Sequence, residues 1–345
     1  MTESTVSESK RIAPGVVLFL LVVVVSLGGW FLRFVTTAAS GEKTESVTVV
    51  IAKGTTLQGI NVKLAESGLV AEDIRFLLLA RYLGVATKLQ AGEFSLRRGL
   101  TPKELLLELA SANPIQHPVT IPEGLVIDEI AEKFAADGWC DKEEFKRLSR
   151  DAEFLKSLGL GQHPNLEGYL YPDTYYLTRE GHDAEDLIRM QVRRYFTVWN
   201  ELDTENSSLL SSFEVLTLAS MVEKETGNSE ERPVIAGVFV NRLARGMRLQ
   251  SDPTVMYGIE NFSGRLSKTD LRTPTPYNTY TLKRLPAGPI CNPGKDSLHA
   301  VLNPEKTDYL YFVSKGKGRH YFSKNLREHN RAVYKYLRSS RKKKK

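Results

Sequence analysis

From Gly15 to Leu32 the chain runs eighteen residues without a charge, mostly valine and leucine. In hydrocarbon every backbone N–H and C=O must be paired within the segment, so such a run crosses a membrane only as a helix. At about 1.5 Å per residue it just reaches across a bilayer core. Trp30 and Phe31 fall at the far interface, where aromatic rings settle. A cleavable signal peptide competes, because Thr36-Thr37-Ala38-Ala39-Ser40 supplies small residues after the apolar run. The apolar region of a signal peptide is ordinarily about 7–15 residues, so the length favours a retained anchor over 15–35. Lys10 and Arg11 precede the uncharged run Gly15–Leu32 and Arg33 follows it. The positive-inside rule then leaves 1–14 as a cytoplasmic head and exports the rest.

The remainder of the 345 residues is long enough for a sizeable core in two or three domains. The net charge is +6, but Arg341-Lys342-Lys343-Lys344-Lys345 supplies five of those charges, leaving +1 for everything else. A terminal charge run is solvated tail, with weak contact to anionic lipid or polymer as its other reading, so nucleic acid is not an expected partner. The two cysteines, Cys140 and Cys291, fit neither a zinc nor a thiol-redox spacing; they allow one disulfide without requiring it.

An internal repeat follows a polar linker at 41–45. Val47–Gly54 resembles Val119–Gly124, and Ile60, Leu64-Ala65 and Gly68 recur as Ile130, Phe134-Ala135 and Gly138, at a constant offset of 70 residues. Each copy reads as a β-branched strand, a turn and an amphipathic helix stopped by a glycine. Leu166–Tyr176 holds four tyrosines around Pro172. It reads as an extended segment, either an aromatic core edge or a stacking wall for sugar rings. Helices are expected over Asp183–Asn200, Phe213–Thr226, Val234–Leu243 and Asn325–Arg338, with loop and short elements from Pro253 to Pro304. A hairpin is expected from Tyr309–Val313 and Arg319–Ser323 around Gly316-Lys317-Gly318.

Acid/base chemistry concentrates at the end of one of these helices. Val215, Leu218, Ala219 and Val222 form its apolar stripe, Thr226 lies on the stripe, and Glu223 and Glu225 flank it. Both acids lie in the last turn, where partial burial and the helix C-terminus raise a carboxyl pKa towards that of a general acid. Periodicity does not choose between them. Gln250, Ser251, Asp252, Thr254 and Tyr257 follow in one segment, Thr275–Tyr280 adds hydroxyls and an amide, and Leu285–Gly294 is rigid with proline. Neutral hydrogen-bonding groups among tyrosines suit carbohydrate better than phosphate. No glycine-rich phosphate loop, GxSxG or HExxH is present, and no cofactor or metal is expected. His299, His320 and His329 read as surface or strand histidines.

Glu223-Lys224-Glu225-Thr226, Asn241-Arg242-Leu243, Met247–Val255, Tyr277–Tyr280 and the Pro286–Gly294 loop together resemble the YceG-like endolytic murein transglycosylases. The resemblance extends over nearly all the chain beyond the anchor. It implies an α+β protein: a single transmembrane helix, a LysM-like α+β module over 41–115 and an α+β catalytic domain over 116–340, with a second small α+β unit at 116–150. It implies a lyase that cuts the MurNAc–GlcNAc bond within nascent peptidoglycan strands, leaves 1,6-anhydroMurNAc and ends strand elongation. The catalytic glutamate matches Glu225, with Glu223 structural or tuning it by like-charge repulsion. Glu167, Thr226, Gln250, Ser251, Asp252, Tyr257, Asn278 and Tyr280 are the candidate substrate-binding residues. Expected partners are peptidoglycan glycan strands, the cytoplasmic membrane and peptidoglycan synthases. The alternatives are a hydrolytic muramidase pairing Glu225 with Asp252 or Glu167, and a non-catalytic glycan-binding scaffold.

Overall fold

The computed structural model describes residues 14–39, 41–203, 210–260, 262 and 264–338; Lys10, Arg11, Ser40 and the run Arg341–Lys345 lie outside them. The chain divides into two compact units, one comprising the residues up to His117 with Leu177–Gly181, the other Pro118–Tyr176 and His182 onward. Both mix helices with short two-stranded sheets.

In the first unit, helix α1 (Pro14–Thr36) holds the uncharged run, and it is the one helix among the described residues long and apolar enough to cross a membrane. Its last turns also pack on the unit: Phe34 is buried in the core, with Phe31 and Val35 packed against it. Strand β1 (Ser46–Ile51) pairs antiparallel with β2 (Gly92–Arg97), setting Val47 opposite Leu96 and Val49 opposite Phe94. Between them lie α2 (Leu57–Glu66), capped by Thr56, and α3 (Ile74–Tyr82), capped by Asp73. Helix α4 (Pro102–Ser111) starts in a capping box made by Thr101 and Glu104. Leu64, Phe76, Leu79, Phe94, Leu96 and Leu105 close the core.

Strand β3 (Gln116–Thr120) and α5 (Ile127–Ala136) begin the second copy of the repeat. The offset of 70 holds in space as in sequence: α5 starts and ends 70 residues after α2. Gly54 and Gly124 share φ near +80°, and Gly68 and Gly138 share +70°. These are left-handed positions that favour glycine. In each copy the first strand pairs with the next strand in the chain, β1 with β2 and β3 with β4 (Thr174–Thr178). Helices α6 (Lys142–Leu148) and α7 (Ala152–Ser157) fill the interval.

The rest of the second unit is built around α9 (Ser212–Glu225), which follows α8 (Ala184–Glu201). Residues 215–222 of α9 are all buried, polar Thr217 and Ser220 included. A helix covered on every side is a core helix, and α10 (Arg232–Ala244), α11 (Asp252–Tyr257) and α12 (Lys295–Leu302) supply the cover. The hairpin of β5 (Tyr311–Gly316) and β6 (Arg319–Ser323) and helix α13 (Leu326–Val333), which widens into a π-type turn over Tyr334–Arg338, complete the unit. Most expected helices agree within one or two residues. The region expected as loop also contains α11 and α12, the latter an amphipathic helix that begins after Gly294.

The tyrosine-rich segment is a core edge rather than a sugar wall. Tyr169, Tyr171 and Tyr175 are buried, and the Tyr175 hydroxyl donates to the Tyr171 carbonyl at 2.6 Å; Tyr176 alone is exposed. Its turn depends on Gly168, at φ +90°, where an added Cβ would lie 2.8 Å from Pro289 and 3.0 Å from Leu216. Gly168→Ala therefore combines a left-handed backbone with overpacking. A loss of about 2–4 kcal/mol is expected in urea unfolding, the sum of a roughly 1–2 kcal/mol backbone term and a packing term of similar size.

Candidate active site

Helix α9 stops at Thr226, whose backbone turns extended at φ −149° while its hydroxyl accepts the Asn228 N–H at 3.0 Å. Thr226 is buried and stabilises the helix end. The two acids just before it part company.

Glu223 is fully engaged inside the fold. Its carboxylate takes the Arg232 guanidinium at 2.9 Å, the Gly294 N–H at 3.1 Å and the Ser297 hydroxyl at 2.7 Å. Arg232, itself buried, also reaches Glu123 and Asp296. Glu223 thus ties α9 to the first turns of α10 and α12. Glu225 lies in a different setting, a cleft of about 310 Å³ shared with Arg242, Gln250, Asp252, Tyr280, Tyr311 and His329. The Ser251 hydroxyl donates to Glu225 Oε1 at 2.6 Å. Burial pushes the Glu225 carboxyl up to about 7, with the Asp252 charge adding to the rise, while the Ser251 bond and Arg242 oppose it. The repulsive neighbour is therefore Asp252, and of the two roles expected for Glu223, structural or repulsive, its contacts match the structural one. An acid with this pKa holds its proton through much of the neutral range and can also give it up, which suits a single acid/base.

The cleft wall is held by a polar lattice. Ser251 N–H donates to Thr279 Oγ1 at 3.0 Å, and Thr254 Oγ1 donates to the Ser251 carbonyl at 2.7 Å. Gln250, at φ +49°, donates its N–H to the Thr279 carbonyl at 3.2 Å. Such a φ is uncommon outside glycine and marks a backbone its surroundings impose. The Tyr280 hydroxyl donates to Asp252 at 2.6 Å. Asn278, wholly buried, spends its amide on the Asp270 and Thr273 carbonyls, and its side-chain oxygen accepts the Tyr280 N–H. Asn278 and Thr226 thus stand behind the wall, while Gln250, Asp252 and Tyr280 line it and Ser251 reaches through to the acid.

Glu167 and Tyr257 are not in this cleft. Glu167 accepts three hydrogen bonds, from the Tyr257 hydroxyl at 3.0 Å, the Asn292 amide at 2.8 Å and the Ile127 N–H at 3.4 Å. Burial pushes the Glu167 carboxyl up to about 8. Both residues border a second cavity, of about 660 Å³, with Arg150, Asn165 and Tyr277. Arg242, Tyr311, Phe312, Leu326 and His329 also line the Glu225 cleft, although the sequence offered none of them as a site residue; His329, expected as a surface or strand histidine, lies on helix α13. The buried Arg242 donates to the Leu249 and Leu310 carbonyls, so it binds the hairpin to the Gln250–Asp252 segment. His329 stacks on Tyr311, and burial holds its pKa below the usual value. Both cysteines are free.

Fold and site together define an α+β protein in which a buried helix presents one elevated carboxylic acid to a cleft of tyrosines, amides and hydroxyls. The chain belongs to the YceG-like family, whose model matches residues 49–335. It is 33% identical over 335 residues to the endolytic murein transglycosylase of Bacillus subtilis, with 92% of each chain covered. It is equally identical to the endolytic murein transglycosylase of Streptococcus pneumoniae D39, covering 85% of this chain and 59% of that one. The crystal structure of a YceG-like protein from Listeria monocytogenes superposes with a TM-score of 0.57 at 33% identity, over 84% of this chain and 99% of that one.

The two acids are expected to separate in thermal unfolding. Glu223→Gln leaves Arg232 underpaired and should cost at least about 2 kcal/mol; the full 3–5 kcal/mol of a broken buried pair is softened by Glu123 and Asp296. Glu225→Gln should act the opposite way. A carboxyl raised in the fold stabilises only while protonated, and that contribution is lost as pH rises through about 7. The variant should therefore gain Tm over wild type at pH 8 and match it at pH 4.

Proposed function

We propose that this protein is an endolytic lytic transglycosylase of peptidoglycan with Glu225 as its acid/base. The observation that carries the reading is the Glu225 carboxyl, raised to about 7 and bonded to Ser251 within an aromatic, amide-lined cleft. The endolytic murein transglycosylases to which the chain is similar lend the substrate class and reaction.

Protonated Glu225 donates to the oxygen linking C1 of MurNAc to GlcNAc. The C1–O bond breaks, GlcNAc leaves with its hydroxyl restored, and C1 takes oxocarbenium character. Glu225, now a carboxylate, removes the proton from the C6 hydroxyl of the same MurNAc, and O6 closes on C1. The acid is regenerated, the product ends in 1,6-anhydroMurNAc, and no water is consumed. The Asp252 carboxylate beside Glu225 favours positive charge at C1, and Tyr280 orients Asp252. Gln250 is placed to contact the sugar. Internal cleavage of nascent strands ends their elongation next to the synthases that make them. The βααβ run of the first unit is read as LysM-like and supplies further glycan contact. Helix α1 anchors the chain in the cytoplasmic membrane, with everything after it outside.

One observation favours a second reading, a hydrolytic muramidase: Asp252 shares the cleft with Glu225, so the two carboxylates of a glycosidase are present. Glu167 is the weaker second acid, because its oxygens are taken up by Tyr257, Asn292 and Ile127. Mass spectrometry of products from purified glycan strands separates the readings. Anhydro ends are expected, and reducing ends would assign the muramidase.

Glu225→Gln should lose about 10²–10⁴ in rate or more, as removal of general acid/base help typically does. Intact cleavage by this variant would remove Glu225 from the mechanism, and cleavage absent even in the wild type would leave the glycan-binding scaffold. Wild-type rate on soluble glycan should fall as pH rises through about 7, where the donor loses its proton. In spheroplasts, added protease should digest the chain beyond residue 41, and full protection would reverse the proposed orientation.

A further inference from the structure

Helix α3 carries an apolar stripe with no protein cover. Ile74, Leu78 and Tyr82, spaced by four, are 65%, 46% and 83% exposed, while Phe76 and Leu79 on the other side of the helix are in the core. Burying a helix's inner face explains Phe76 and Leu79; it does not explain three large side chains aligned in water.

The position of α3 identifies what covers them. Arg75, between Ile74 and Phe76, donates to the Trp30 carbonyl at 2.8 Å. Its guanidinium lies 4.3 Å from the centre of the Trp30 ring and 4.7 Å from that of Phe34, and Asp73 holds it there at 2.6 Å. The first turn of α3 is therefore fastened to the last turns of α1. A bilayer core takes about 20 helical residues, so a span that begins at Gly15 ends near Phe34. Ile74 then stands at the membrane–water boundary. Beside it is a cavity of about 240 Å³ lined by Arg33, Phe34, Leu69, Val70, Arg75 and Pro102. Two arginines among apolar lining residues supply the two chemistries of a lipid interface, attraction to phosphate and contact with acyl chain.

We infer that the first unit is seated on the lipid bilayer, with Ile74, Leu78 and the ring of Tyr82 in the interfacial layer of phospholipid. This rests on α1 being a membrane anchor. Insertion of the stripe removes apolar surface from water, and the Arg75 fastening keeps α3 from swinging away from the anchor.

The test uses the full chain in vesicles of equal parts phosphatidylcholine and phosphatidylglycerol. Single cysteines at Ile74, Leu78 and Val24, on a Cys140→Ser background with Cys291 buried, carry a polarity-sensitive fluorophore. Ile74 and Leu78 are exposed, so labelling them disturbs no packing. Both labels should shift to the blue and be quenched more by lipids with a nitroxide near the headgroup than by lipids with one deep in the chain. Val24 should show the reverse order. Deep quenching at Val24 with water-like emission at Ile74 and Leu78 would overturn the seating and leave the anchor intact. Water-like emission at all three sites would overturn the anchor, and the seating with it. A blue shift at Ile74 and Leu78 that ignores the nitroxides and grows with protein density would assign the stripe to a second copy of the chain.

Discussion

The grip of Glu223 on Arg232, Gly294 and Ser297 is the interaction on which the site depends. It joins the successive helices α9 and α10 to the distant α12 at the point where α9 ends. Because the carboxylate accepts an N–H at the start of α12, it also pairs negative charge with that helix's N-terminus. A Cβ at Gly294 would overlap the Glu123 carboxylate, which would have to swing aside and loosen its hold on Arg232. Behind it the Pro286–Gly294 loop is fixed by Ser220, which accepts the Ile290 N–H at 3.0 Å, and by Asn292, which accepts the Leu170 N–H at 2.8 Å. With its last turn immobilised on one side, α9 presents Glu225 on the other without freedom to retreat into water.

That immobility gives the acid its chemistry. A mobile glutamate would rotate to solvent and titrate near 4.3. Glu225 instead keeps Ser251 as its hydroxyl donor and Asp252 as a like charge, while Arg242 limits the rise. The balance leaves the pKa near neutrality rather than far above it, where the conjugate base would be too strong to return the proton. Arg242 serves both ends of this arrangement, because the guanidinium that moderates Glu225 also holds the Leu249 carbonyl beside the strained Gln250.

Much of this was legible in the sequence, and the limits have physical reasons. The repeat was readable because its glycines occupy left-handed positions that few other residues accept, so the spacing is preserved in φ as well as in type. Local signals placed α8, α9, α10 and the hairpin well, since each has its own periodicity or turn. Periodicity left Glu223 and Glu225 tied because both flank the same stripe; what separates them is Arg232 on one side and Ser251 on the other, contacts made by elements later in the chain. The same limit hid Tyr311, Phe312, Leu326 and His329, which reach the cleft only once the hairpin and α13 fold back onto α10. Buried tyrosines at 169, 171 and 175 also show that an aromatic-rich segment does not by itself indicate a sugar platform.

Glu167 shows why an elevated pKa is not sufficient to identify a catalytic acid. Burial raises it even further than Glu225, to about 8. Yet its oxygens are occupied by Tyr257, Asn292 and the Ile127 backbone, and these bonds join the start of α5 to the end of α11. Glu167 also borders a cavity, so open space does not separate the two acids; the hydrogen bonds on them do. Glu167 accepts three from the protein, whereas Glu225 accepts one, on Oε1, from Ser251. The free energy spent on burying the two carboxyls serves different ends: at Glu167 it fixes the scaffold, and at Glu225 it keeps a proton at the floor of an open site.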